Sequence, residues 1–191
     1  MKKKIIITGG LGYIGTELCR LYSGVSWHHK ILVIDNRFIS ERVNQIRNWN
    51  MEFIHGDILD KDLVNKYFSN ADVVHHLAGI TSVPRTKSES SKEIDEKIKL
   101  VAEEGTQNIL NTISNECKLI FPSTHVVYEG ISEVKKDIKE NENTHPVLSY
   151  SSSKATNEQQ IKDSGKNYII LRLGSVYGYS NDTMRIDIMP N

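Results

Sequence analysis

The sequence predicts an α/β fold, a doubly wound parallel sheet with helices on both faces. Three observations carry this prediction. Short β-branched runs alternate with longer stretches of helical period. The first run enters a glycine-rich turn, Thr8-Gly9-Gly10-Leu11-Gly12-Tyr13-Ile14-Gly15, that leads into a helical pattern. The second run ends in an acid, Asp35, about twenty residues past Gly15, a spacing with a chemical meaning in such folds.

Each element follows from local chemistry. Ile5-Ile6-Ile7 is a β-branched apolar run suited to a strand buried on both faces. After the turn, Ile14, Leu18, Leu21 and Tyr22 recur at helical spacing, and the helix should fade near Ser23-Gly24. Ile31 to Ile34 forms strand two. Val43, Ile46 and Trp49 mark a short helix. Met51 to His55 reads as strand three, stopped by Gly56-Asp57. Leu63, Val64, Tyr67 and Phe68 mark another short helix, and Asp72 to Gly79 is strand four running into a loop. Thr81 to Ser91 is polar, contains Pro84 and reads as loop. Ile94, Ile98, Val101, Gly105, Ile109, Leu110 and Ile113 give a long amphipathic helix. Lys118 to Phe121 is strand five. Glu129 to Leu148 is charged and lacks a period, so an exposed excursion is expected. A helix begins near Tyr150, and Tyr168 to Arg172 is strand six. The chain has no internal repeat or low-complexity tract.

Composition narrows the function. At 191 residues the chain suits one well-filled domain. Lys+Arg and Asp+Glu are 24 each, so no net charge draws it to nucleic acid or an acidic membrane. Cys19 and Cys117 are far apart and lack C-x-x-C spacing. They read as buried free thiols of a reducing compartment. The basic start, Met1 to Lys4, is followed by only three isoleucines before Thr8-Gly9, too short for a signal-peptide core, and no stretch approaches a membrane span. A cytoplasmic location is expected. His75 and His76 end a strand and read as packed residues; no spacing completes a ligand set, so no metal site is expected. Trp27 and Trp49 read as packing or surface aromatics, and His28-His29 as a solvated turn.

The glycine turn gives the first chemical reading. In a strand–turn–helix unit, one glycine lets the backbone reverse, one clears space for a pyrophosphate, and one lets the helix sit close to the strand. The helix N-terminus then points N–H groups at the phosphates. An acid at the end of the next strand accepts hydrogen bonds from the ribose diol. The turn, the strand and Asp35 together indicate dinucleotide binding. The second reading comes from Tyr150-Ser151-Ser152-Ser153-Lys154. Residues four apart share a helix face. A lysine ammonium beside a phenol stabilises the phenolate and lowers its pKa from about 10. Such a tyrosine can exchange a proton with a sugar or alcohol hydroxyl. Thr124, with Ser123, ends strand five and offers a second hydroxyl; the plain alternative is that both cap a turn.

These segments resemble the extended short-chain dehydrogenase/reductase family, its NAD-dependent epimerase/dehydratase group, on a Rossmann sheet. The matching stretches are TGGLGYIG, Asp35-Asn36, HGDI from His55, HLAG from His76, GTQNIL from Gly105, PSTHVVY from Pro122, YSSSK and LRLGSVYG from Leu171. The resemblance implies that Gly9, Gly12, Tyr13, Ile14 and Gly15 line the pyrophosphate, and that Asp35 and Asn36 hold the adenosine ribose. It places Asp57 and Ile58 beside the adenine, and Leu77, Ala78 and Gly79 along the cofactor. Tyr150 becomes the acid/base, Lys154 its tuning partner and a cofactor ligand, and Thr124 the second hydroxyl. His125 and Ser175 fall on the substrate side. The implied cofactor is NAD rather than NADP, since Asp35 would repel a 2′-phosphate, although Arg37 lies close by.

The resemblance also implies a reaction. In dehydratases of the group an acidic pair follows the threonine, and here His125 and Val126 stand there. Epimerisation of a nucleoside-diphosphate sugar, through transient oxidation to a keto-sugar, is therefore expected. The alternatives are a dehydratase or reductase of the same family, or a dinucleotide-binding sensor or scaffold without chemistry. Two positions depart from relatives: Ala102 and Ser175 stand where asparagine is common. Relatives continue past the position of Gly178, so residues 1–178 read as the NAD-binding domain with the catalytic residues. Residues 179–191 read as the start of a substrate region largely missing by truncation. The resemblance further implies a homodimer through the helices near 92–114 and 150–164.

Overall fold

The computed structural model describes residues 2–81 and 89–178. Six strands form one parallel sheet: β1 (Lys4–Thr8), β2 (Lys30–Asp35), β3 (Glu52–His55), β4 (Val73–His76), β5 (Lys118–Thr124) and β6 (Asn167–Leu173). Their order is β3-β2-β1-β4-β5-β6. The helices are α1 (Tyr13–Ser23), α2 (Ser40–Asn48), α3 (Lys61–Phe68), α4 (Lys92–Thr112) and α5 (Ser149–Asp163). The strand order reverses between β1 and β4, which opens a crevice at their carboxyl ends where ligands of such sheets bind. Thr8 pairs with both Ile34 and His76 there.

Strand pleating explains the three isoleucines. Successive side chains point to opposite faces. Ile5 and Ile7 join Leu11, Cys19, Ile31, Val33, Val43 and Ile46 in one core, beneath α1 and α2. Ile6 joins Leu32, Val64, Phe68, Val74, Ile109, Leu119, Phe121 and Ile161 in the other, beneath α3, α4 and α5. Both cysteines are buried free thiols, as their spacing indicated. Trp49 packs against the first core and Trp27 is exposed.

Two features differ from the periodicity reading. Ile14 and Leu21 are exposed, at 37% and 67%, and the buried face of α1 is Gly15, Thr16 and Cys19. Small residues win because α1 sits close on the glycine turn; a Cβ on Gly15 would overlap the Gly9 carbonyl oxygen. β5 runs on through Pro122 to Thr124. Its last pair with β4 is His75 with Ile120, while β6 accompanies it to the end, so Pro122 lies where the ladder is one-sided. The excursion from 129 to 148 has neither helix nor strand, but it is tied down. His145 N–H donates to Val127 O at 2.7 Å, and Gly130 N–H donates to His145 O at 2.8 Å. The loop expected over Thr81–Ser91 lies largely outside the described residues, as does the tail from Tyr179.

Candidate active site

The glycine turn gives each glycine a separate task. Gly9 has φ +66°, and its N–H reaches Ile34 O at 2.8 Å. A Cβ there would lie 2.8 Å from the Ala78 nitrogen, so the strand ends meet backbone to backbone. This brings Leu77, Ala78 and Gly79, just past β4, alongside the turn. Gly12 is the N-cap of α1; it offers no side-chain cap, and no acid sits in the first turn. Helix geometry leaves first-turn N–H groups without intrahelical acceptors. An anion meets a positive helix end and no competing side chain. These features fit a pyrophosphate beside Gly12, Tyr13, Ile14 and Gly15.

Asp35 ends β2 and is 5% exposed. Its carboxylate accepts Leu11 N–H at 2.9 Å and Arg37 N–H at 3.0 Å. Arg37 Nε also donates to it at 3.2 Å. The acid is thus braced by the turn it serves, and a largely exposed arginine screens it. Asn36 donates through Nδ2 to Asp57 at 2.9 Å, so these two residues share one edge of the crevice. Ile58, the next residue, turns its side chain inward. Its side chain is 4% exposed and fills the space beside Gly105 in the core, leaving only main-chain atoms for an adenine. Tyr13 hydroxyl donates to Gly178 O, which brings the chain after β6 back to the start of α1.

Tyr150 lies in the first turn of α5 and Lys154 one turn later, on one helix face. The Lys154 ammonium donates to Pro122 O at 2.9 Å and lies 4.4 Å from the Phe121 ring centre and 6.0 Å from that of Tyr150. Burial pushes it down to about 8, with Glu158 pulling the other way. Thr124 is 8% exposed and accepts Val126 N–H at 3.3 Å, capping a 3-10 turn over His125–Tyr128. The capping reading therefore holds for Thr124 and not for Ser123; it occupies only an acceptor position of Thr124 and leaves the hydroxyl proton to donate. His125 is exposed; its Nδ1 lies 3.2 Å from Leu173 O, and since a carbonyl only accepts, Nδ1 carries the proton. Ser175 is exposed just past β6. Ser123 turns away from the crevice and donates to Glu158 at 2.6 Å.

The periodicity reading left out the polar spine beneath this surface. His76 is buried with Nδ1 3.1 Å from Thr8 Oγ1 and Nε2 3.0 Å from Thr106 Oγ1; Thr8 also accepts Ala78 N–H at 3.0 Å. His75 packs edge-on against Tyr22 and bonds its hydroxyl at 2.8 Å. Burial, with the Lys154 charge in the same direction, lowers His76 from 6.5 to about 3. The folded state holds this ring neutral while an unfolded chain protonates it near 6.5. Stability from this source is full above 6.5 and falls as pH drops toward 3. At pH 5 the loss is about 2 kcal/mol relative to pH 7.5. Urea midpoints at the two pH values should show it. His76→Gln should be less stable at pH 7.5 but lose less between the two; equal slopes in both proteins would refute the assignment.

Among the described residues, no group of three His, Cys, Asp or Glu could hold a metal ion, and no helix is long and apolar enough to cross a membrane.

Comparison with known proteins follows the same lines. A family model described as the NAD dependent epimerase/dehydratase family matches residues 5–189. The dTDP-D-glucose 4,6-dehydratase of Dictyostelium discoideum is 32% identical over 92% of this chain and 44% of its own length. The UDP-glucose 4-epimerase of Neisseria meningitidis serogroup C is 29% identical over 84% of this chain and 48% of its own. UDP-glucuronic acid 4-epimerase from Bacillus cereus has been solved as a tyrosine-to-phenylalanine mutant with NAD and UDP-4-deoxy-4-fluoro-glucuronic acid. It superposes with a TM-score of 0.76 at 28% identity, over 92% of this chain and 57% of that one. The chain spans about half the length of the curated relatives it matches.

Proposed function

Since the chain belongs to the NAD-dependent epimerase/dehydratase family, we propose that it carries the cofactor and proton-transfer parts of a nucleoside-diphosphate-sugar epimerase. One observation carries this reading. Tyr150 and Lys154 sit one turn apart, and Lys154 is bonded to Pro122 O, so its ammonium ties the Tyr150 side of α5 to the end of β5, the strand that Thr124 closes.

NAD, when bound, supplies the acceptor and donor of the hydride. The turn from Gly9 to Gly15 would hold its pyrophosphate, and Asp35 with Asn36 its adenosine ribose. The carboxylate of Asp35 favours a free 2′-hydroxyl over a phosphate. Tyr150 takes the proton of the sugar hydroxyl as that carbon is oxidised, and returns it to the carbonyl oxygen as hydrogen comes back to the opposite face of the carbon. Lys154 holds the phenolate form, and Thr124 donates a hydrogen bond to the reacting oxygen. His125 and Ser175 face the substrate side.

A second reading, 4,6-dehydration, draws on the name of the Dictyostelium relative. Eliminating water needs a further acid and base beside the ring. The residues after Thr124 are His125 and Val126, neither of them a carboxylate, which favours epimerisation. We assign residues 1–178 to the NAD-binding domain and 179–191 to the start of the substrate region, in a cytoplasmic protein. Pairing of two copies along α4 and α5 would cover Ile94 and Leu100, which are exposed on α4.

The test uses UDP-sugars deuterated at C4, with NAD or NADP, followed by NMR. The expected product is the C4 epimer with its deuterium retained, formed with NAD. A 4-keto-6-deoxy sugar would favour the dehydratase. Accumulating NADH would favour a simple dehydrogenase, and bound NAD without turnover a sensor.

A further inference from the structure

Beneath the catalytic face of α5 lies a polar hub that the proposed chemistry does not use. Glu158, one turn past Lys154, is 2% exposed. Its Oε1 accepts Ser123 Oγ at 2.6 Å and Arg172 Nε at 2.9 Å; its Oε2 accepts Arg172 Nη2 at 2.6 Å. Lys162 adds a longer contact at 3.4 Å. Burial alone would push the Glu158 carboxyl up, but the hydrogen bonds from Arg172 and Ser123 and the charges of Arg172 and Lys162 hold it below its usual range.

Arg172 extends the hub. Its Nη1 donates to Glu140 O at 2.9 Å and to the Tyr128 hydroxyl, whose ring lies beneath the guanidinium. Tyr128 hydroxyl in turn donates to Lys139 O at 3.2 Å. The excursion is held at its other end by Glu129, which accepts Val147 N–H at 2.8 Å, Leu148 N–H at 2.7 Å and Ser151 Oγ, next to Tyr150. A single carboxylate thus joins α5, the end of β5 and β6, and through Arg172 the excursion.

A buried ion pair is weak evidence for stability, because desolvation offsets its attraction. Its geometry matters more here. Ser123 adjoins Thr124, and Glu158 lies one turn from Lys154, so the hub spans the two elements that must be aligned for proton transfer. We propose that Glu158, locked by Arg172 and Ser123, is a positioning residue that sets α5 against the end of β5 and so fixes Lys154 and Tyr150 relative to Thr124. The kinetic part of this proposal rests on the epimerase reading; its geometric part does not.

The test compares Glu158→Gln with the double variant Glu158→Gln/Arg172→Gln, in the full chain. Glu158→Gln leaves Arg172 without its anion and should lower Tm. The double variant removes both charges and should recover Tm. Lys154 lies over the Phe121 ring, so its ε-CH2 protons carry an upfield ring-current shift that reports its position. In both variants that shift should shrink. With turnover present, kcat should fall about 10- to 100-fold while KM and NAD affinity change little, since a small misplacement is felt mainly in the chemical step. If the double variant has wild-type ring-current shift and wild-type kcat, the pair is only structural and the proposal fails. If the wild-type protein turns over no sugar nucleotide, the epimerase reading fails, and the ring-current shift alone decides whether Glu158 positions Lys154.

Discussion

Tyr150→Phe should abolish hydride exchange with a sugar nucleotide, by about 10²- to 10⁴-fold in kcat, while leaving the fold and NAD binding nearly intact. The substitution deletes one hydroxyl from a half-buried ring on the first turn of α5 and changes no backbone preference. The phenol oxygen is the only atom lost, and in the proposed reaction it carries the proton. Rapid mixing at 340 nm, with excess sugar nucleotide, reads the oxidation half directly. Calorimetry of NAD binding should give a dissociation constant within about threefold of wild type, since the hydroxyl contributes at most one hydrogen bond to the cofactor. A variant that still oxidises sugar within about threefold of wild type would show that another group takes the proton. Lys154→Met sharpens the same point. It removes a cation whose burial already opposes its charge, and it sets a polarizable thioether against Phe121. Stability should hold or rise, while kcat should fall as far as in Tyr150→Phe. Loss of activity with a raised Tm cannot be blamed on unfolding.

The elements were legible because period and composition agree along the chain. Alternation of Ile5 and Ile7 against Ile6 made β1 a doubly buried strand, and the cores divide those side chains as expected. The geometry of the candidate site was legible where it is local in sequence: the glycine turn, the shared helix face of Tyr150 and Lys154 and the acid at the end of β2. It was less legible where a residue has two possible directions. Ile58 follows Asp57 at the crevice edge, yet its side chain turns inward, because Gly105 on α4 leaves a gap that it fills. That gap forms between segments 47 residues apart, beyond the reach of any periodicity. The same holds for Ser123, which pairs with Glu158 rather than facing the crevice. One signal was present. Glu158 continues the four-residue spacing of Tyr150 and Lys154, and a carboxylate on that face needs a partner. Arg172, one strand later, is that partner. The buried face of α1 was misplaced for a different reason: apolar periodicity picks out large side chains, whereas a close approach selects small ones.

Close approach also sets the second large effect, at Gly15. A Cβ there would overlap the Gly9 carbonyl oxygen and lie 2.7 Å from Gly10 Cα, both backbone atoms of the turn. Neither can rotate away, as a side chain could. Gly9 is itself fixed by its bond to Ile34 O and by contact with the backbone of Ala78, so the turn has no slack. Gly15→Ala must therefore lift the N-terminus of α1 off the turn. Overpacking of this kind costs about 1–3 kcal/mol, enough to lower Tm by several degrees in a domain of this size. The cofactor should suffer more than the fold. The first-turn N–H groups would no longer point where the proposed pyrophosphate would lie, and the positive helix end would move with them. NAD affinity should drop about 100-fold or more, equivalent to roughly two charge-assisted hydrogen bonds. Gly24→Ala is the control. Gly24 ends the same helix with φ −65°, and a Cβ there meets nothing closer than Leu21 O at 4.0 Å. It should leave NAD binding unchanged and raise Tm slightly, through the smaller entropy of the unfolded chain. Calorimetric titration of both variants separates the effects. If Gly15→Ala binds NAD as tightly as Gly24→Ala does, the phosphates do not lie on the N-terminus of α1, and the cofactor must be held by another edge of the crevice.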